Sequence, residues 1–85
     1  MTKLWIKVKD EDKILKDTVL EDGADLSEES FLDMMSKAAD VLDISTPVIL
    51  STHLEHLLQF KRVEFLPRDF IDEVKFTSLE VERAQ

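Results

Sequence analysis

Residues 3–9, KLWIKVK, constrain the fold more than any other stretch, because successive side chains alternate strictly in character. A period of two is typical of a β-strand with two unlike faces. One predicted face is aliphatic and consists of Leu4, Ile6 and Val8. The opposite face consists of Lys3, Trp5, Lys7 and Lys9. The chain must therefore supply further strands beside this one and a layer that covers its aliphatic face.

A second strand is predicted at residues 13–21, KILKDTVLE, after the short turn sequence DED. A two-residue turn at Glu11 and Asp12 favours an antiparallel hairpin in which Asp10 pairs with Lys13. The two strands would then form one half of an antiparallel sheet.

The register of this hairpin decides where Asp17 points. Continued from the turn, the pairing places Leu4 opposite Val19 and Ile6 opposite Asp17. In that arrangement Asp17 is the one carboxylate expected to face the core. A shift of one residue exchanges the two faces of the second strand, so both arrangements stay open.

An amphipathic helix of about four turns is predicted after the turn at Gly23. Ser27 is its expected N-cap, and Leu26 and Phe31 are spaced as a hydrophobic staple. The helix should end before Pro47, because a residue that precedes proline avoids helical geometry. Its apolar stripe consists of Phe31, Met34, Met35, Ala38, Ala39 and Leu42.

A shorter helix is predicted to begin near Thr52, because Thr52 and Glu55 have the spacing of a capping box. The preceding segment, residues 48–50, is either a short buried strand or an extended lead-in to this helix. One face of the helix is expected to carry Leu54, Leu57 and Leu58.

Two strands complete the predicted fold. The segment RVEF at residues 62–65 alternates, with Val63 and Phe65 inward, and residues 74–82 form the last strand. A bulge or kink near Thr77 and Ser78 would bring the apolar residues of that strand to one face. We therefore predict a single α+β domain over residues 1–85. Its antiparallel sheet combines the N-terminal hairpin with the C-terminal strand pair, and one long and one short helix pack on one face.

Composition narrows the functional classes. The net charge of −8 disfavours nucleic acid and membrane surfaces as partners, because both repel an acidic chain. No apolar run approaches the ~20 residues of a membrane-spanning helix. The strand-like N-terminus predicts that there is no signal peptide. Cysteine is absent, which excludes a disulfide framework and a thiolate nucleophile and favours a cytoplasmic location.

The segment THLEHLLQFKR, residues 52–62, contains both histidines of the chain. His53 and His56 are three residues apart, so a helix presents them on one side, where they could bind zinc or nickel. A closed zinc site needs four ligands and a catalytic one usually three, and the H-E-x-x-H pattern is absent. We expect both histidines at the polar edge of the helix. A metal-binding or enzyme-accessory role for them is the alternative, and a pH-sensing or catalytic role also stays open.

Residues 17–33 contain many acids and no base. They lack the alternating aspartates and the twelfth-position glutamate of a calcium-binding loop. The run therefore indicates a solvated acidic surface, with weak divalent-cation binding or a basic protein partner as alternatives. The acids are Asp17, Glu21, Asp22, Asp25, Glu28, Glu29 and Asp33.

Four residues are candidates for contact with a partner. Trp5 is flanked by lysines, including Lys7, and an exposed tryptophan is typical of an interface hot spot. Otherwise Trp5 covers the outer side of the sheet together with lysine stems, or packs under the C-terminal strand. Lys61 and Arg62 form a small basic cluster with Arg68. That cluster could receive an acidic partner, including a second copy, or pair with acids of its own chain.

Five stretches resemble, in order and spacing, a family of small uncharacterised bacterial proteins of about this length, found mostly in Gram-positive anaerobes. The resemblance implies a single compact bacterial domain and brings no activity, cofactor or site with it. The stretches are KDTV at 16–19, LDISTPVIL at 42–50, FKRVEF at 60–65, DFI at 69–71 and FTSLEV at 76–81.

The sequence contains no motif for nucleophilic catalysis, phosphate binding or dinucleotide binding. We therefore predict that the chain is not an enzyme and needs no cofactor, and no small-molecule ligand is identifiable. The favoured function is a protein-interaction or structural domain whose partner is another protein or a second copy. Recognition is expected through an edge strand or the Trp5 face of the sheet.

Overall fold

The computed structural model describes residues 1–84 as an antiparallel sheet with two helices. The sheet has the strand order β2-β1-β4-β3, and every neighbouring pair is antiparallel. The predicted α+β class, the N-terminal hairpin and the C-terminal strand pair are confirmed. The elements are β1 (Thr2–Asp10), β2 (Lys13–Asp22), α1 (Glu28–Leu42), α2 (Ser51–Phe60), β3 (Arg62–Phe65) and β4 (Ser78–Arg83), with a short 3-10 turn at Pro67–Asp69.

The hairpin of β1 and β2 contains a bulge next to its turn. The predicted pairing of Asp10 with Lys13 is present, but the register then shifts by one residue. Ile14 and Lys16 pair with consecutive residues of β1, so Leu15 is the extra residue. The bulge thus satisfies the two-residue turn and the apolar pattern of β1 at the same time.

This shift corrects the predicted register along the rest of β2. Leu4 pairs with Leu20 and not with Val19, and Asp17 pairs with Lys7. Because paired residues share a sheet face, Asp17 lies on the face that carries Lys7. The core-facing position predicted for Asp17 is therefore wrong.

The core lies between the two helices and one face of the sheet, which we call the inner face. The aliphatic side of β1 is fully covered there, and α1 contributes its whole predicted stripe. Ser27 caps α1, because its hydroxyl accepts a hydrogen bond from the Ser30 amide at 3.2 Å. The largest fully buried side chains are Phe31, Phe65, Leu4, Ile6, Met34, Met35, Leu57 and Leu79.

The start of α2 differs from the prediction. The helix begins at Ser51, and the capping box predicted for Thr52 and Glu55 is wrong. His53 performs this task instead, since its Nδ1 atom accepts the Leu50 amide hydrogen at 2.9 Å. Residues 48–50 are an extended lead-in and form no strand.

The packing of α2 and the start of β4 also differ in detail. Leu54 and Leu57 are buried as predicted, but Leu58 is half exposed. Strand β4 begins at Ser78, and Phe76 enters the core from the irregular segment before it. Its ring packs edge to face against Phe70 with 5.4 Å between centroids. Because the irregular segment lets Phe76 turn inward, β4 needs no bulge to align its apolar residues.

We predict that Met35→Ala destabilises the fold by about 2–4 kcal/mol, because it leaves a cavity under α1. The Met35 side chain is 1% exposed, whereas Leu32 on the same helix is 49% exposed. The matched control Leu32→Ala should therefore cost less than about 1 kcal/mol. Urea denaturation followed by circular dichroism measures both, and equal losses would contradict the position of the core.

Candidate functional site: the outer sheet face and the edge of β2

The sheet face turned away from the helices, which we call the outer face, carries two rows of paired residues. One row runs across the four strands as Asp17, Lys7, Glu80 and Glu64. The neighbouring row runs as Val19, Trp5, Glu82 and Arg62. The structure therefore brings three of the contact candidates, Trp5, Lys7 and Arg62, onto the same face.

Lys7 is the centre of the outer face and is only 5% exposed. Its Nζ atom lies 2.6 Å from Glu80 Oε1 and 3.4 Å from Glu82 Oε1. The same nitrogen lies 3.8 Å from the centroid of the Trp5 ring, in cation–π contact. The Lys7 side chain is thus held by contacts within the outer face. It does not project into solvent as a contact residue.

The pKa of Glu80 reports this arrangement. The Lys7 ammonium donates a hydrogen bond to the Glu80 carboxylate and holds its pKa below the usual 4.5, against the opposing effect of burial. The charges of Lys7, Lys9 and Arg62 act in the same direction as the hydrogen bond. The ionised form of Glu80 is therefore part of the folded structure.

Trp5 is held in a fixed orientation at the side of the sheet that leads to β2. Its indole N–H donates to Asp17 Oδ2 at 2.7 Å, and its cross-strand partner on β2 is Val19. Trp5 is partly buried, while Val19 beside it is 50% exposed. Val19 on β2 is thus an exposed apolar side chain at the end of this row.

Strand β2 forms one border of the sheet. Within residues 1–84 it pairs only with β1, so the backbone groups on its other side have no strand partner. Ile14, Leu15 and Val19 are all about half exposed along it. The opposite border, β3, has four residues and packs beside α2. The free border of β2, which we call the β2 edge, is the surface that the sequence prediction did not locate.

The histidines have separate structural environments. The His53 ring packs on Phe65 with 4.4 Å between centroids, and its Nε2 atom lies 3.9 Å from Asp69 Oδ1. Burial lowers the pKa of His53 below 6.5, with Asp69 opposing and His56 adding to the shift. The His56 ring contacts Phe60 edge to face. Among the described residues, no group of three or more His, Cys, Asp or Glu side chains is placed to hold a metal ion.

The remaining basic candidates are dispersed. Lys61 is the exposed residue that ends α2, whereas Arg62 starts β3 on the outer face and Arg68 lies in the 3-10 turn. Within α1, Asp33 forms an exposed pair with Lys37 at 3.0 Å. The basic positions do not combine into one pocket, whereas Asp22, Glu29 and Asp33 of the acidic run line one open surface pocket.

A small cavity lies between the starts of the two helices, and three more open depressions of about 360–450 Å³ lie elsewhere on the surface. The cavity has a volume of about 110 Å³, and it is lined by apolar side chains that include Phe31, Leu32, Leu50 and Leu54. Sites for drug-sized ligands have volumes of about 300–1,000 Å³. This cavity has room for a small apolar group but not for a substrate of that size.

No family model, curated protein or solved structure matches this chain. The resemblance to a bacterial family therefore stays a prediction. Neither helix in residues 1–84 combines the length and apolar character needed to cross a membrane. Geometry and charge are thus the basis on which we infer function.

We predict that stability decreases with acidification through the histidine range because of His53. The folded state lowers the pKa of His53 below 6.5, so the unfolded chain binds the proton more tightly. Its contribution is fully present above about pH 6.5 and is lost as the pH falls through the folded pKa.

The variant His53→Asn tests this, because the amide oxygen can accept the Leu50 amide hydrogen without titrating. Urea midpoints from about pH 7 to about pH 5.5 should become flatter in His53→Asn. The control Gln59→Asn, at an exposed position of the same helix, should keep the slope of the original chain. An unchanged slope in His53→Asn would contradict the assignment.

We also predict that Lys7 and Glu80 are energetically coupled. A double-mutant cycle with Lys7→Met and Glu80→Gln should give about 1–2 kcal/mol, because the pair is shielded from water. The same cycle on the exposed pair Lys37 and Asp33, with Lys37→Met and Asp33→Asn, should give less than about 0.5 kcal/mol. Equal coupling in the two cycles would show that the outer face is not closed around Lys7.

Proposed function

We propose that the chain is a small non-enzymatic domain that binds a protein partner by strand addition at the β2 edge. The observation that carries this proposal is the free border of a ten-residue strand with Ile14, Leu15 and Val19 half exposed along it. In strand addition, main-chain hydrogen bonds supply affinity and alternating side chains supply specificity. Strand β2 offers both the free main-chain groups and the exposed side chains that such binding needs.

The β2 edge is selective because only part of it can accept a regular strand. The bulge at Leu15 interrupts the ladder near the turn, and such bulges protect natural sheet edges from unspecific pairing. The stretch Lys16–Asp22 beyond it pairs regularly with β1. Its charged residues keep the edge soluble, while Val19 offers an apolar contact beside Trp5. A partner strand would thus add along this stretch.

The titratable groups with shifted pKa values support a binding role over catalysis. Glu80 is engaged by Lys7 on the outer face, and His53 accepts the hydrogen bond that starts α2. Shifted groups at catalytic sites face a cleft that a substrate can enter. Glu80 lines an open surface pocket with His56 and Arg62, but its carboxylate is bound by Lys7, and His53 is bound by the Leu50 amide, so we assign both groups to the fold.

The setting that we propose is the bacterial cytoplasm. The absence of cysteine fits a reducing compartment, and the five stretches that resemble a bacterial family support the origin. A protein partner is also favoured over nucleic acid, because the net charge of −8 repels phosphate. The protein partner, the cytoplasmic location and strand addition together form one proposal.

We predict that a photo-crosslinking amino acid at position 19 captures the partner in bacterial cells. Val19 lies on the β2 edge and is 50% exposed, whereas Val41 lies on α1 and is 63% exposed. The same amino acid at position 41 is the matched control. Mass spectrometry should find a defined adduct for position 19 that position 41 does not give. Identical adducts at both positions, or none at position 19, would contradict strand addition.

A further inference from the structure

We infer that the strand added at the β2 edge is β2 of a second copy, paired antiparallel around a two-fold axis at Val19. This inference rests on the proposed function and names its partner. A two-fold contact of this kind uses the same surface on both copies, so one strand must complement itself. Strand β2 meets that requirement in its charges, its apolar residues and its length.

Charge complementarity is the first argument. The regular stretch of β2 begins with Lys16 and ends with Asp22, and both lie on the inner side of the sheet. When the whole stretch pairs antiparallel with itself, Lys16 of one copy lies opposite Asp22 of the other. Opposite charges at directly facing positions stabilise a strand pair. The symmetry creates this pair twice.

The apolar contact at the axis is the second argument. Val19 is the middle residue of the stretch Lys16–Asp22, so in this register it faces Val19 of the second copy. Trp5 lies beside Val19 on the outer face of each copy. The dimer would therefore have a continuous apolar strip of tryptophan, two valines and tryptophan. The dimer would thus cover the Val19 side chain, which is exposed in a single copy.

Like charges also oppose this register, because Asp17 faces Glu21 of the other copy and the symmetry creates this pair twice as well. Both carboxylates already have partners on β1. Asp17 accepts the Trp5 indole hydrogen, and Glu21 lies 3.7 Å from Lys3 Nζ. These contacts reduce the repulsion across the axis. The net charge of −8 per chain also opposes association, so we expect a dimer of modest affinity.

The contact closes after two copies. The ladder is limited by the bulge at Leu15 on one side and by Gly23, after the end of β2, on the other. Once the two β2 edges are joined, the borders of the combined sheet are the two β3 strands. Each is four residues long and lies beside α2. Short, covered borders resist further pairing, which favours a dimer over a filament.

Sedimentation equilibrium tests the dimer on the full chain. At loading concentrations up to about 0.5 mM we expect reversible association to twice the chain mass of 9.9 kDa. Val19→Lys places two cations at the axis and should raise the dissociation constant by at least about tenfold. The control Val41→Lys, on the exposed side of α1, should leave it unchanged. Circular dichroism confirms that both variants are folded.

Charge exchange tests the register. Lys16→Asp opposes two acids at each end of the ladder and should weaken the dimer by about tenfold. Adding Asp22→Lys to it reverses the pair and should restore most of the affinity. Because Asp22 also accepts the Ala24 amide hydrogen, melting curves must show that the double variant is folded. Failure of a folded double variant to recover would overturn the register.

Oxidative crosslinking gives a second, independent readout, since the chain has no cysteine of its own. Residues that face each other at a two-fold axis come close enough for a disulfide, and their neighbours along the strand do not. Val19→Cys should therefore form a covalent dimer much faster than Thr18→Cys or Val41→Cys. Faster crosslinking of Thr18→Cys would overturn the axis at Val19.

The outcomes separate this inference from the proposed function. A chain that stays monomeric at every concentration overturns self-pairing. If position 19 then captures a different protein in cells, strand addition stands with another partner. If position 19 captures nothing, both proposals fail. A dimer that Val19→Lys and Val41→Lys weaken equally would overturn the β2 edge as its interface.

Discussion

Only one face of this sheet is covered by helices, so the strands must protect the other face with their own side chains. Lys7 meets this constraint because its ammonium lies against Glu80, Glu82 and the face of the Trp5 ring. The ammonium exchanges water for two carboxylates and an aromatic face, and its aliphatic stem covers β1. The central strand is therefore shielded on both sides, although hydrophobic packing is present on one side only. Strand β2 remains the part of the sheet with unpaired backbone groups and exposed apolar side chains.

Periodicity predicted the element types well, because β1 and α1 each repeat their apolar residues without interruption. It failed where two local arrangements were compatible with one pattern. Ile14 and Leu15 are consecutive apolar residues, and this break in alternation was the available signal of the bulge. The start of α2 was harder to predict, because a histidine that accepts a cap hydrogen bond looks like any surface histidine in sequence. Its role depends on the Phe65 ring beneath it, which only the folded chain supplies.

The sequence predicted the type of the candidate site but not its location in the fold. Trp5 and its flanking lysines pointed to the outer face, and an edge strand was an expected means of recognition. Which strand would be the free edge depends on strand order, which follows from long-range pairing of β1 with β4. That pairing turned Lys7 from a contact candidate into a buried residue. It also left Val19, which no motif singles out, as the exposed neighbour of Trp5.

The extra residue at Leu15 also separates the hairpin turn from the rest of β2. The turn and the ladder each keep their own spacing, since one irregular position absorbs the mismatch between them. Pairing Leu15 regularly with Val8 would force a choice between the turn and the ladder. If the turn were kept, Asp17 and Val19 would rotate toward the helices, and Lys16, Thr18 and Leu20 would replace them outside. The bulge at Leu15 thus determines which side chains of β2 face the solvent.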